Sequence, residues 1–182
     1  MVFLRPMIDA SGQADFRVRR AELSDASAIA QVHTRVWQQA YRNLLSARYL
    51  DQLDWTNRLN SWQDSLRSSD SGEATFVGLR RQVVVGFASS GPARDSDMGA
   101  LMAVELYAIY LESAEWGTGS GDKLLAAALE SAENVVVALW VFEENTRARH
   151  FYEKHGFRPD GTRSVMERDG LRLSKVRYRR VV

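Results

Sequence analysis

The stretch EWGTGSGDKLL, from Glu115 to Leu125, places three glycines at alternate positions directly before an apolar run with helical spacing. Glycine destabilises regular structure, so it is used where the backbone must turn sharply or where another group must come close to the main chain. The start of a helix offers unpaired N–H groups and the positive end of the helix dipole. Gly117, Gly119 and Gly121 therefore predict a site for an anion such as a phosphate.

Two nucleotide-binding motifs do not fit this stretch. A P-loop requires the pattern GxxxxGK[ST], but counting from Gly117 puts Asp122 at the second glycine and Leu124 at the hydroxyl position, so that only Lys123 matches. A dinucleotide fingerprint requires GxGxxG close to the first strand. Counting from Gly117 or from Gly119 puts Asp122 or Leu124 at its third glycine, and the stretch lies far from the first strand. Neither class of nucleotide enzyme is expected.

A second pattern, NxxAxxFYxxxGF, runs from Asn145 to Phe157. The two blocks, found together in this order between Val104 and Phe157, resemble the GNAT superfamily of N-acetyltransferases. The first family motif, [RQ]xxGx[GA], follows a strand and precedes a helix, and it corresponds to Trp116, Gly117, Thr118, Gly119, Ser120 and Gly121. The resemblance extends in element order from Phe16 to the C-terminus. It implies an N-acetyltransferase domain over residues 16–182 that uses acetyl-CoA as its acyl donor and needs no metal.

The resemblance implies that main-chain N–H groups from Gly117 to Asp122 bind the pyrophosphate of acetyl-CoA. Two positions depart from the family pattern, because Trp116 stands where Arg or Gln is usual and Asp122 stands where a small residue is common. A carboxylate beside a pyrophosphate is unfavourable unless it points away. Asn145 is expected to cap the following helix and, with Ala148, to contact the CoA arm.

The implied reaction is the attack of a primary amine on a thioester. The amine must first lose a proton, because an ammonium group has a pKa of about 10. Glu105 resembles the family position of the general base, which often acts through water; the alternative is an outward-facing edge glutamate. Tyr152 matches the family tyrosine that donates a proton to the CoA sulfur; the alternative is a core aromatic residue beside Phe151.

The resemblance also places backbone donors where the central strand splays, at Ile109, Tyr110 and Leu111. N–H groups there would stabilise an oxyanion and pair with the pantetheine arm as with another strand. Trp37 and Tyr41, four residues apart on the first predicted helix, pack together in any helical protein. Because this helix and the next border the acceptor site in the family, the two are also candidates for acceptor binding.

Other polar residues carry weaker signals. His33, His150 and His155 lack the spacing of metal ligands, so we expect them to be structural or exposed. The run RYRR, Arg177–Arg180, is expected to lie on a solvated strand face. Only its charge argues for the alternatives, which are binding of the CoA 3′-phosphate or of nucleic acid.

The site requires a sheet that positions these residues. Apolar and alternating runs predict strands at 16–21, 74–80, 82–90, 100–113, 134–142 and 170–182. Helical spacing predicts helices at 24–44, 46–67 with a break near Asp54, 122–132 and 145–155. The order predicts one α/β (mixed α+β) domain with the GNAT fold: a mixed, mostly antiparallel sheet with a splayed central strand pair and helices on both faces.

Composition restricts the function classes. The chain has 182 residues, a net charge of +1 and no cysteine, which indicates one domain without a nucleic-acid or membrane signature. Disulfides and a cysteine nucleophile are excluded, in agreement with a cytoplasmic location. Residues 1–15 lack the apolar core of a signal peptide and are expected to form a flexible leader. The expected partner is a small-molecule or peptide amine, and a homodimer is compatible with the family.

The main alternative is a catalytically degenerate protein that senses acyl-CoA or holds a partner on the same fold. The departures at Trp116 and Asp122 favour this alternative. The presence of both Glu105 and Tyr152 favours an enzyme.

Overall fold

The structure is a computed structural model that describes residues 16–68, 72–101, 103–132 and 135–181; the predicted leader, residues 1–15, lies outside the described residues. The strands are β1 (Phe16–Arg20), β2 (Ala74–Arg80), β3 (Val83–Pro92), β4 (Val104–Leu111), β5 (Val136–Phe142), β6 (Arg158–Arg168) and β7 (Leu171–Val181). The helices are α1 (Ala26–Ala40), α2 (Ala47–Asp51), α3 (Thr56–Arg67), α4 (Ser120–Ala128) and α5 (Thr146–Lys154). Within these ranges, no helix combines the length and the apolar character needed to cross a membrane.

The described strands form a single mixed sheet in the order β1-β2-β3-β4-β5-β7-β6. Its neighbouring strands pair antiparallel except β4 and β5, which are parallel. The parallel pairing runs only from Val104 to Leu106 on β4, whereas pairing with β3 continues to Leu111. β4 and β5 therefore diverge after Leu106, which confirms the predicted splayed central pair.

Helices cover both faces of this sheet, as predicted. One core lies between α1 and the sheet and includes Ile29, Val32, Val36, Val77 and Phe87. The core on the other face contains side chains of α4 and α5 and includes Leu124, Leu125, Val137, Leu139 and Tyr152. The helical period of α1 and α4 thus matches the faces that they bury.

One expected helix break is confirmed, and two strands differ from the expectations. The second predicted helix is two helices, α2 and α3, and Asp54 between them accepts a hydrogen bond from the Thr56 N–H at 2.9 Å, which confirms the break. β6 was not expected, because its residues are mostly polar and half-buried or exposed. The strand predicted from residue 100 begins at Val104, because Ser96–Leu101 forms a 3-10 helix.

The expectation of a solvated RYRR run is wrong for Tyr178, which is buried, and for Arg177, whose side chain is 3% exposed. Its guanidinium pairs with Asp95, Asp97 and Asp160 at 2.6–2.9 Å. A buried guanidinium needs such partners because desolvation of an unpaired charge is costly. Arg177 therefore ties the segment before β4 to the β6–β7 hairpin.

Candidate active site

The divergence of β4 and β5 opens a cleft of about 1410 Å³. Most predicted site residues line this cleft: Trp37, Tyr41, Glu105, Ile109, Tyr110, Leu111, Trp116, Gly117, Gly119, Gly121, Asp122, Asn145, Ala148 and Tyr152. The predicted residues Thr118 and Ser120 are not part of the cleft lining, although they belong to the same loop. The sheet therefore brings donor, acceptor and catalytic candidates to one cleft.

The glycine loop before α4 has the backbone conformation that the sequence predicts. Gly117 and Gly119 have φ angles of 76° and 85°, in the left-handed region that strongly favours glycine. A Cβ atom built on either residue would meet no atom within 4 Å, so space for a ligand lies beside the loop. Gly121 has a different role, because a Cβ there would lie 3.1 Å from Cε2 of Phe151. Its missing side chain allows α4 and α5 to pack closely.

The loop presents main-chain donors at the start of α4. In the described part of the chain, the N–H groups of Gly117, Thr118, Gly119, Gly121 and Asp122 make no hydrogen bond within the protein. The Ser120 N–H makes only a long contact of 3.4 Å to the Thr118 hydroxyl. Unpaired N–H groups at a helix N-terminus form an anion site together with the helix dipole.

A buried carboxylate fixes the loop from its protein side. The Ser120 hydroxyl donates to Oε2 of Glu115 at 2.6 Å, and the Thr118 hydroxyl donates to the Glu115 carbonyl at 2.9 Å. Arg80 pairs with the same carboxylate at 2.8 Å, and its hydrogen bonds lower the pKa of Glu115 despite burial. The Ser120 side chain is therefore buried and the Thr118 hydroxyl is already bound within the loop, so a ligand would contact mainly main-chain atoms.

Two side chains near the end of α5 contact the carboxylate of Asp122, whose charge is unfavourable beside a pyrophosphate. Its carboxylate accepts from Lys154 Nζ at 2.9 Å and contacts His155 Nε2 at 2.9 Å. The Lys154 hydrogen bond is the main cause of the lowered pKa of Asp122. Asp122 is thus compensated by α5.

Trp116 has its own partners at the edge of the cleft. Its indole N–H donates to the Leu111 carbonyl at 2.9 Å, and the guanidinium carbon of Arg147 lies 3.8 Å from the indole ring centroid. Arg147 is exposed, lines the cleft, and has no ion pair within the described residues. A cation therefore stands beside the glycine loop although the motif position itself holds Trp. The sequence does not indicate a role for Arg147, because it occupies one of the unspecified positions of the NxxAxxFYxxxGF pattern.

The open edge of β4 supplies further donors. The Glu112 N–H donates to the Val85 carbonyl on β3 at 2.9 Å. Since N–H direction alternates along an antiparallel strand, the Tyr110 N–H also points to β3, and the N–H groups of Ile109 and Leu111 point toward the open side. Two of the three predicted backbone donors are therefore directed at the cleft, and Tyr110 contributes its side chain.

Glu105 lines the cleft and is 4% exposed. Both carboxylate oxygens accept from the Arg94 guanidinium, Oε1 at 2.6 Å and Oε2 at 3.1 Å, and Oε2 also accepts from the Arg94 N–H at 3.1 Å. Arg94 in turn lies over the ring of Tyr107 at 4.0 Å. Glu105 is therefore an inward carboxylate rather than an edge residue, and Arg94 is a neighbour that the sequence did not indicate.

Tyr152 projects from α5 and is 8% exposed. Within the described residues its hydroxyl makes no hydrogen bond. Burial raises the pKa of Tyr152, so its proton is retained at neutral pH. Asn145 caps this helix by accepting from the Ala148 N–H at 3.2 Å, which fixes the helix start at the cleft.

A phenol and indole cluster forms the wall of the cleft at α1. The Trp37 indole N–H donates to the Tyr110 hydroxyl at 3.1 Å, and the rings of Trp37 and Tyr41 are 4.9 Å apart. Burial and the neighbouring Tyr110 raise the pKa of Tyr41. Both candidates for acceptor binding thus lie at the cleft, held in one packed cluster.

The three histidines are separated in the fold. His33 lies among aromatic rings, His155 contacts Asp122, and His150 is exposed. Across the ranges that the structure describes, no group of three or more His, Cys, Asp or Glu side chains could hold a metal ion.

Sequence comparison finds relatives that are named N-acetyltransferases. The uncharacterised N-acetyltransferase YuaI of Bacillus subtilis is 34% identical over 135 residues, which cover 70% of this chain and 72% of the relative. A probable N-acetyltransferase of Mycobacterium tuberculosis is 28% identical over 91% of this chain and 94% of its own length.

Solved structures share the fold at low identity. The PaiA N-acetyltransferase of Thermoplasma acidophilum, in complex with coenzyme A, superposes with a TM-score of 0.72 at 17% identity over 92% of this chain and 99% of its own. YncA of Salmonella typhimurium, a putative acetyltransferase with acetyl-CoA, gives 0.66 at 22% identity over 91% and 93%. Residues 31–157, well over half of the chain, match the acetyltransferase (GNAT) family. The chain belongs to the acetyltransferase (GNAT) family.

Proposed function

We propose that the protein is an N-acetyltransferase that moves the acetyl group of acetyl-CoA to a primary amine of a small molecule or peptide by direct attack. One observation carries the proposal: the unpaired N–H groups of the glycine loop, the open edge of β4 and the Tyr152 hydroxyl border the same cleft. In the proposed complex with acetyl-CoA, the loop N–H groups would bind the diphosphate and the open edge of β4 would contact the pantetheine arm. The Tyr152 hydroxyl would lie near the sulfur.

The residues present fit a diphosphate. The positive φ angles of Gly117 and Gly119 and the empty space beside them allow phosphate oxygens to reach main-chain N–H groups. Such contacts use the helix dipole of α4 as well as hydrogen bonds. Arg147 adds a cation at the same end of the cleft.

We assign the thioester end to the divergence of β4 and β5. An extended arm would pair with β4 as an added strand. The N–H groups of Ile109 and Leu111 would then be available to the carbonyl oxygen of the acetyl group, where negative charge develops.

Glu105 is the proposed proton acceptor for the amine. Among the described residues its Oε1 accepts a single hydrogen bond, from Arg94, so one lone pair stays available for a water molecule that carries the proton. Tyr152 is the proposed proton donor to the departing thiolate, because its hydroxyl keeps its proton and is not engaged elsewhere in the described chain.

The acyl-CoA sensor is retained as the second candidate on one observation. Arg94 engages both oxygens of Glu105, which restricts this carboxylate as a base. The departures from the family motif at Trp116 and Asp122 support the sensor less than the sequence suggests. Lys154 offsets the charge of the Asp122 carboxylate, and the Trp116 indole stacks with Arg147.

The test is release of free thiol from acetyl-CoA in the presence of a panel of primary amines, with thermal shift by acetyl-CoA, CoA and ATP in parallel. The proposal predicts stabilisation by acetyl-CoA and amine-dependent thiol release. Stabilisation by acetyl-CoA without release on any amine would support the sensor. Stabilisation by ATP alone would contradict both.

Replacing Arg147 with Ala is expected to weaken CoA binding about threefold, because an exposed cation contributes little to binding a phosphate in water. Isothermal titration calorimetry in low and high salt measures this, and the difference between wild type and variant should shrink as salt screens the charge. Arg163→Ala is a suitable control, because Arg163 is exposed and lies on β6 outside the cleft lining. An unchanged Kd at low salt would remove Arg147 from the binding site.

A further inference from the structure

A second, smaller cavity of about 330 Å³ adjoins the cleft between α1, α3 and the sheet. It shares His33, Arg94, Tyr107 and Ala108 with the lining of the main cleft. A ligand could therefore occupy both spaces. The residue of interest on its α3 wall is Arg58, and we call this cavity the Arg58 pocket.

Arg58 is a half-buried cation without an acid partner. In the described part of the chain no carboxylate lies within ion-pair distance of its guanidinium, and its Nη1 instead approaches the ring nitrogens of His33 at 3.0 and 3.4 Å. Its guanidinium carbon lies 5.0 Å from the ring centroid of Trp37. Burial lowers the pKa of Arg58, a sign that desolvation is not offset by a counter-ion.

His33 cannot satisfy the donors that surround it. Burial, with a smaller effect of Arg58, lowers its pKa to about 3, so the imidazole is neutral and offers one ring nitrogen as acceptor. The Trp62 indole N–H lies 3.3 Å from Nδ1, while Arg58 lies 3.0 Å from Nε2. Whichever tautomer is present, one of these two donors faces an N–H. Around His33, the donors of Arg58 and Trp62 therefore outnumber the acceptors that the imidazole offers.

The other charged groups of the pocket do not correct this excess. Arg94 is already bound to Glu105. Glu73 lines the pocket and accepts from the Ser65 hydroxyl at 3.3 Å, but it forms no ion pair with Arg58. A bound oxyanion would supply the missing acceptors to the guanidinium, which offers several N–H donors in a fork that matches a carboxylate or phosphate.

We propose that the Arg58 pocket binds an oxyanion of the acceptor, so that the acceptor is an amine that also carries a carboxylate or a phosphonate or phosphate group. This inference rests on the proposed acetyl transfer for its kinetic readout, although the binding itself does not depend on catalysis. The cation–π contact with Trp37 and the shared wall at His33 place the oxyanion end beside the phenol and indole cluster. The amine end would extend toward Glu105 in the main cleft.

Matched acceptors that differ only in the anion provide the kinetic test. Each amino acid is paired with its amide, and 2-aminoethylphosphonate is paired with ethylamine. The value of kcat/KM for each compound is measured from thiol release. We expect anionic acceptors to be preferred about tenfold, the scale of one charge-assisted hydrogen bond. Arg58→Gln should remove that preference by raising KM for the anionic member of each pair, and Arg58→Lys should restore part of it. Comparison of the carboxylate pairs with the phosphonate pair shows which oxyanion the Arg58 pocket prefers.

Arg67→Gln is the matched control, because Arg67 is on the same helix with a side chain that is 56% exposed. The proposal would be overturned if the wild-type protein gave equal kcat/KM values for the anionic and the neutral acceptor of each pair. It would also be overturned if Arg58→Gln lowered kcat/KM equally for both acceptors. The second result would indicate a structural role for Arg58.

A binding measurement separates this proposal from the acetyl-transfer proposal. Trp37 lies under Arg58 and Trp62 lines the pocket, so tryptophan fluorescence can follow titration with the same compounds. Saturable binding of anionic members that Arg58→Gln abolishes would support the oxyanion site even if no amine is acetylated. Absence of Arg58-dependent binding by every anionic compound would overturn it even if acetyl transfer is observed.

Discussion

Replacing Tyr152 with Phe is expected to lower kcat by roughly 10- to 100-fold, the usual scale for loss of a positioned proton donor, while the Kd of CoA stays the same. The variant retains the aromatic ring that packs in the core with Phe157. It removes only the hydroxyl, which makes no hydrogen bond in the described chain. Folding should therefore be preserved, and the loss should be confined to the departure of the thiolate.

The comparison uses steady-state thiol release together with calorimetric titration of CoA. Tyr49→Phe is the control, because this tyrosine is on α2 and is absent from the cleft lining. If Tyr152→Phe turned over like the wild type, Tyr152 would have no part in proton transfer. If CoA affinity and kcat fell together, the role of Tyr152 would be in packing.

Replacing Gly119 with Val is expected to weaken CoA binding by roughly 100-fold, since binding to several main-chain donors depends on close approach of the phosphate oxygens. Two effects combine. A β-branched residue disfavours the φ angle of 85° found there, and its side chain would fill the space that is now open beside the loop. The Kd of CoA from titration calorimetry is the measurement, with circular dichroism to establish folding.

Gly161→Val is the matched control for Gly119→Val. Gly161 has a φ angle of 89° and likewise no atom within 4 Å of a built Cβ, but it lies on β6 outside the cleft lining. Both variants therefore carry a similar backbone strain, and only Gly119→Val should weaken CoA binding. Normal affinity in a folded Gly119→Val variant would contradict a role for the loop as an anion cradle.

The elements with strong local patterns were predictable. Helical spacing placed α1 and α5, and Asn145 and Gly156 mark the ends of α5 as the sequence indicated. β6 escaped prediction because three of its four half-buried positions, Asp160, Thr162, Ser164 and Met166, hold polar residues, so its sequence lacks the apolar alternation that marks a half-buried strand. Arg177 shows the same limitation, because its three carboxylate partners come from two distant segments of the chain.

The site was predictable where a motif fixes the backbone and less so where distant side chains meet. The glycine spacing indicated the loop conformation, which the φ angles of Gly117 and Gly119 show. The pairing of Glu105 with Arg94 depends on how β3 and β4 are placed side by side. The convergence of Arg58 and His33 depends on the packing of α3 against α1, and neither residue belongs to a motif.

The reaction roles of Glu105 and Tyr152, the CoA contacts, the cytoplasmic location, the homodimer and the domain boundary at residue 16 stay predictions. Of these, the reaction roles and the CoA contacts depend on where the ligand lies in the cleft.

The most direct measurement is therefore a crystal structure with coenzyme A. We expect diphosphate oxygens within about 2.7–3.2 Å of main-chain nitrogens between Gly117 and Asp122, with the arm beside β4 and the sulfur near the Tyr152 hydroxyl. A diphosphate bound elsewhere, with those N–H groups hydrogen-bonded inside the protein, would contradict the proposed site.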